Sequence, residues 1–223
     1  MPIRLFLALL LALGLAGSAV AAPGRDWRTV ITRAPSGGYL LGNPAAKVKL
    51  VEYQSYTCPH CAEFAKESAA TLRNQMVRDG SVQIEFRPAV RDRFDLAATL
   101  LARCLPPARF LAANDLLFAR QDEWFDRATS WSQYNERTVA LYPETPRLKA
   151  YAIGAGLPAL LGLSETQVDQ CLADSADRAR VASLTDAAWA TIPGTPTFVL
   201  NGQTLHVSKW AELEPKLRAA GAR

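Results

Sequence analysis

Two cysteines separated by two residues, Cys58-Pro59-His60-Cys61, lie between a strand-like run and a helix-like run. Such a pair can close a small disulfide ring. If Cys58 opens a helix, its sulfur faces backbone N–H groups without partners and the positive end of the helix dipole. Both favour thiolate over thiol, and the thiolate is the reactive form in exchange with disulfides. The chemistry this spacing points to is thiol–disulfide exchange.

Other uses of the tetrapeptide fit the rest of the chain less well. A structural zinc site needs four ligands, usually two such pairs or a pair with closely spaced histidines. The chain has only His60 and His206, and its other cysteines, Cys104 and Cys171, stand alone. No metal is expected. Covalent haem attachment would need His directly after the second cysteine, where Ala62 stands. A purely structural staple across two residues removes little chain entropy.

The elements that must position the pair can be read in outline. Trp27 to Thr32 reads as a first short strand, followed by turns at Pro35-Ser36-Gly37-Gly38 and Gly42-Asn43-Pro44. Lys47 to Tyr53 reads as a central strand. A helix opens at Cys58, with Pro59 in the first turn where a missing N–H does no harm, and runs to about Arg78 before Asp79-Gly80 stops it. Ser81 to Phe86 alternates as a half-buried strand.

From Asp92 to about Ala190 the pattern is helical throughout. Pro106-Pro107 breaks it, Trp124, Phe125 and Trp131 fall in a less regular stretch, Pro146 starts a short helix and Ser164 to Gln167 forms a capping box. The aromatic cluster reads as core packing rather than a ligand site. Strands resume at Thr197 to Leu200 and Gln203 to Val207 around an Asn201-Gly202 hairpin turn. Ser208 is placed to cap a last helix.

Composition bounds the rest. With 223 residues, 49% apolar and 21% charged, the chain has the make-up of a soluble globular protein, and its net charge of +4 is dispersed. Nothing resembles a nucleic-acid footprint. Arg4, the apolar run Leu5 to Leu15 and Ala19-Val20-Ala21 read as a secretory signal over residues 1–21, with the mature chain starting at Ala22. The alternative is an uncleaved membrane anchor. Export would place the cysteines in a periplasmic setting where disulfides persist.

Gly42-Asn43-Pro44, the run from Lys47 to Cys61 (KVKLVEYQSYTCPHC) and Gly194-Thr195-Pro196-Thr197-Phe198 together resemble the DsbA-like family of exported thiol oxidoreductases. The resemblance implies an α/β fold, a thioredoxin fold with an inserted all-helical domain. Residues 22–91 would form its first part with the active site, 92–190 the insertion and 191–223 the second part. By the same match Cys58 is the exposed nucleophile and Cys61 the buried resolving thiol, with Pro59 supporting the motif. Pro196 would be cis, across from Cys58, although an X-Pro bond is ordinarily trans. Thr195 would then offer its backbone to an extended substrate peptide.

Three further readings concern individual side chains. His60 over the helix start would favour the Cys58 thiolate if charged; otherwise it is a solvated histidine without effect. A fall in the Cys58 pKa to about 4.5 would stabilise the dithiol by roughly 3.4 kcal/mol at neutral pH, roughly 70 mV toward a stronger oxidant. Glu52 shares a strand face with Val48 and Leu50, so its carboxyl should be hard to ionise. In the family pattern it is the acid beneath the active site, able to exchange protons with Cys61; the alternative is a Glu reaching solvent at a strand end. Cys104 and Cys171 are expected to pair in an exporting context, unless they are two buried free thiols.

The expected activity is a protein dithiol oxidase that introduces disulfides into reduced client proteins, needing no cofactor because the cysteines carry the electrons. The family implies a DsbB-like, quinone-linked membrane partner, and a monomer is expected. A disulfide isomerase or reductase, and a non-redox peptide-binding chaperone, are the rivals.

Overall fold

A computed structural model of the chain describes residues 25–223. The signal segment and cleavage point expected from the sequence lie outside the described residues. Among the described residues, six strands form one mixed sheet in the order β1-β2-β4-β3-β5-β6. They are β1 (Ile31–Arg33), β2 (Tyr39–Gly42), β3 (Val48–Gln54), β4 (Val82–Pro88), β5 (Thr197–Leu200) and β6 (Gln203–Leu205). Only β3 and β4 run parallel, and they are joined by the crossover helix that follows the cysteine motif. Among the described residues, no helix is long and apolar enough to cross a membrane.

The centre of the sheet follows the alternation in its sequence. Val48, Leu50, Glu52 and Gln54 of β3 are buried while their neighbours are half-buried. Leu50 sits opposite Ile84 and Leu200, and Glu52 opposite Phe86 and Phe198. Phe64 of α1 (Pro59–Ser68) packs against Phe198 with the rings tilted, and α9 (Trp210–Ala219) adds Trp210, Leu213 and Leu217 to this core.

Seven helices stand between β4 and β5: α2 (Arg93–Cys104), α3 (Pro107–Ala119), α4 (Gln121–Val139), α5 (Glu144–Gly154), α6 (Leu157–Leu161), α7 (Glu165–Ala173) and α8 (Ser175–Trp189). They have their own core, with Leu101, Leu117, Trp124, Tyr151, Leu157 and Leu172 in it. Packing between α4 and α5 is so close that a Cβ on Gly154 would meet the Trp131 ring at 2.3 Å.

Several local expectations are corrected. Trp27–Thr29 is a 3-10 turn rather than strand, because Asp26 accepts from the Arg28 N–H and grips its guanidinium. Tyr39–Gly42, between two turns, is a strand; four residues are too few to show a period, and pairing with β4 makes it one. The helix after the motif changes at Ala69 into a π-helical segment, Ala69–Val77. The stretch containing Trp124, Phe125 and Trp131 is regular helix. Helix α5 begins at Glu144 with Pro143 as its cap, leaving Pro146 in the first turn. Strand β6 stops at Leu205, and Lys209 rather than Ser208 caps α9, without a side-chain bond.

Candidate active site

The loop Ser55-Tyr56-Thr57 carries the chain from the end of β3 into α1, and Cys58 is the N-cap of that helix. Its N–H donates to Ser55 O at 3.2 Å, and its own carbonyl accepts from Cys61 N at 3.1 Å and Ala62 N at 3.3 Å. Pro59 occupies the first helical position, where the ring fits the helical φ and no N–H is missed. Cys58 and Cys61 are both free thiols.

The expectation of an exposed Cys58 needs correction. It retains 3% of its surface and Cys61 none. The cover over Cys58 comes in part from the segment before β5, where the Thr195–Pro196 peptide is cis. The Cys58 thiol donates to Thr195 O at 3.1 Å. That contact by itself favours the protonated form, but donors to the anion outweigh it. The Cys61 thiol contributes most, then the Thr195 side chain and the Cys61 backbone N–H, with the charge of Arg91 added. Burial opposes them, and the net effect lowers the Cys58 pKa from 9.0 to about 5. Cys61 moves the other way: burial, its bond to Cys58 and the Cys58 and Glu52 charges raise its pKa well above 9.0.

His60, by contrast, is turned outward. Its side chain is 72% exposed, with Nδ1 3.7 Å from the Glu63 carboxylate. The cation acting on Cys58 is Arg91, on the loop before α2, which also reaches Thr57 O. Glu52 is 3% exposed under the motif. Burial raises its pKa from 4.5 to about 7, with Arg73 pulling the other way. It is thus a carboxyl able to hold or release a proton near neutral pH, on the strand next to the Cys61 helix.

Two residues from the helical block clamp the motif, and neither was foreseen. The fully buried Asp95 of α2 accepts from Ser55 Oγ at 2.6 Å, Tyr56 N at 2.9 Å and Arg91 N at 3.0 Å. Burial nevertheless raises its pKa to about 7. Gln121, the first residue of α4, donates Nε2 to Tyr56 O at 2.8 Å and Cys58 O at 3.0 Å. Asp92-x-x-Asp95 reads in sequence as ordinary helix capping, which Asp92 does perform. Nothing local marks Asp95 as facing the loop.

Cys104 and Cys171 form a disulfide between α2 and α7, with Cα atoms 5.4 Å apart. Among the described residues, no group of three or more His, Cys, Asp or Glu side chains is arranged to hold a metal ion.

A sheet crossed by the helix that carries a Cys-x-x-Cys pair, with a cis-proline segment facing the first sulfur, defines a thioredoxin-type redox site. The family model described as Thioredoxin matches residues 35–218, and the chain belongs to that family. Within it, the chain has the DsbA-like form of the fold, a thioredoxin fold with a helical insertion. A protein-disulfide isomerase of Novosphingobium aromaticivorans is 35% identical in sequence, covers 81% of this chain and 95% of its own, and superposes with a TM-score of 0.74. The alpha-DsbA1 of Wolbachia pipientis shares the fold at 20% identity, with a TM-score of 0.66 over 84% of this chain and 92% of that one. A Rickettsia typhi relative, named among the protein-disulfide oxidoreductases, is 27% identical over 166 residues, 73% of this chain and 54% of its own. The chain spans about half the length of the Rickettsia relatives it matches.

Proposed function

We propose that this oxidoreductase acts as an exported dithiol oxidase that introduces disulfides into reduced client proteins. The observation that carries the reading is the split between the two motif thiols: Cys58 at the helix start has a pKa of about 5, while the buried Cys61 is pushed far above its ordinary value. In the oxidised form a client thiolate attacks Cys58 Sγ. The 58–61 bond breaks and its electron pair goes to Cys61 Sγ, which takes a proton with Glu52 as the donor. A second client thiolate then attacks the client sulfur of the mixed disulfide. The Cys58 thiolate leaves, the client is oxidised and the enzyme is a dithiol.

Stabilising that leaving thiolate makes the enzyme disulfide more oxidising, which supports net oxidation over reduction. Thr195 and Pro196 form the wall against which a client strand lies, while Pro59 presets the helix start. His60, exposed beside the motif, meets the client and adds positive charge when protonated. Reoxidation falls to a quinone-linked membrane partner of the DsbB type, in the periplasm, with the enzyme working as a monomer.

An isomerase activity is the second reading, favoured by the name of the Novosphingobium aromaticivorans relative. Two assays separate these. The Cys58→Ser variant should lose disulfide formation in a reduced client, and the wild type should equilibrate with glutathione as a strong oxidant. A strongly reducing couple, or efficient reshuffling of a scrambled client, decides for the isomerase. Activity retained by a Cys58/Cys61 double alanine variant would mean a non-redox chaperone.

A further inference from the structure

We propose that Arg73, held by Asp115, is a positioning residue that sets the proton affinity of Glu52 and so ties the helical insertion to the redox centre. The inference rests on the exchange reading for Cys58 and Cys61, in which Glu52 supplies the proton that the leaving Cys61 sulfur needs.

Arg73 lies in the π-helical segment that continues α1, and its side chain is only 17% exposed. Such segments recur at functional sites. The guanidinium is ion-paired with the carboxylate of Asp115, which belongs to α3 of the insertion. Arg73 lines two spaces at once. One is an open groove of about 630 Å³ beside α1, with Asp115, Lys66 and Asp122 also on its walls. The other is a small buried pocket of about 10 Å³ lined by Glu52, Gln54, Ser68 and Asn114. Ala65 and Phe118 also border both, so Arg73 is the charged member of the wall between solvent and Glu52.

The surroundings of Glu52 leave Arg73 as the group that can compensate its charge. Strands β4 and β5 place Phe86 and Phe198 in register with it. Helix α1 contributes the thiol Cys61, and the loop after β3 contributes Tyr56, whose ionisation burial suppresses. From α3 come the neutral Asn114 and Phe118, with Asp115 acting through Arg73. The Arg73 charge is the one that draws the Glu52 pKa down against burial. Gln54 Oε1, on the same pocket, is buried with no hydrogen-bond partner, so neutral dipoles do not saturate this space.

A cation paired with one carboxylate and acting through space on another has a simple signature: removing the cation and removing the paired carboxylate act in opposite directions. In the full-length oxidised protein, where Cys58 and Cys61 do not titrate, the Glu52 carboxyl would be followed by its infrared band, assigned with Glu52→Gln. Arg73→Met should move its midpoint up by about one pH unit, because an adjacent opposite charge is lost. Asp115→Asn should move it down, and Arg73→Lys should return it most of the way to the wild-type value. Single-turnover reduction of the 58–61 disulfide should change its pH profile in step. Shifts in one common direction, or none, in folded Arg73→Met and Asp115→Asn proteins would overturn the proposal. If Arg73→Met does not fold, Asp115→Asn and Arg73→Lys decide it, since a downward move on Asp115→Asn is required. Disulfide exchange retained by the Cys58→Ser variant would instead refute the reading beneath it, leaving the Glu52 titration intact.

Discussion

Lowering the pH from 7 to 5 should erode the stability of the folded dithiol, relative to the folded 58–61 disulfide form, by about 2 kcal/mol. The Cys58 pKa lies at about 5 in the fold against an ordinary 9.0. Because the folded value is the lower one, the stabilisation is complete above the unfolded pKa and is lost as the pH falls through the folded one. At pH 7 the ratio of the un-ionised thiol fractions, unfolded over folded, gives about 2.7 kcal/mol in favour of the folded dithiol, equivalent to about 60 mV toward a stronger oxidant. At pH 5 the folded thiol is half ionised and only about 0.4 kcal/mol remains. Cys61, raised by burial, stays protonated in both states and adds nothing across this window. Glu52 and Asp95 also titrate here, but they do so in both redox forms, so subtraction largely removes them. The assay is urea unfolding of the two forms at both pH values with the 104–171 bond intact, alongside ultraviolet titration of the thiolate. A difference that stays flat, with the thiolate absorbance lost only near the ordinary cysteine pKa, would refute the argument.

The other expectations concern neighbouring residues. Glu52→Gln should raise stability by about 3 kcal/mol at pH 7, since a carboxyl whose pKa burial has raised to about 7 costs the fold proton-linked stability wherever the unfolded chain ionises it. The gain should vanish as the pH falls below the unfolded value of 4.5, and a gain independent of pH in chemical denaturation would contradict the cause given. Replacing Cys104 and Cys171 together by Ser opens a loop with a sequence separation of 67 and should lower stability by about 4 kcal/mol. Because neither half of that bond is among the groups acting on Cys58, the Cys58 thiolate titration should not move; a displaced titration would show that the two cysteine pairs are coupled.

How far the chain could be read without its fold differs from residue to residue. The motif, its place at a helix start and the strand before it are local signals, carried by Pro59 and by the alternation through Glu52. The hairpin at Asn201-Gly202 is equally local, since both residues have positive φ. Tyr39–Gly42 was illegible as a strand because four residues show no period and the partner that ties it to the sheet centre lies more than forty residues later in β4, the three-residue β1 being its other neighbour. The orientation of His60 was open for a related reason: a residue on the first turn can face the sulfur or the solvent, and here it lies toward Glu63.

What the sequence alone determined is therefore the kind of chemistry: two thiols at a helix start, with an acid on the strand beneath. Which groups tune that chemistry was decided by tertiary structure. Arg91 reaches the motif from the loop before the helical block, and Asp95 and Gln121 from α2 and α4 within it. Thr195 comes from 137 residues downstream. The physical reason is range: helix caps and strand periods are set by neighbours a few residues apart, whereas burial and the fields acting on a sulfur depend on which distant segments the sheet and insertion bring against it.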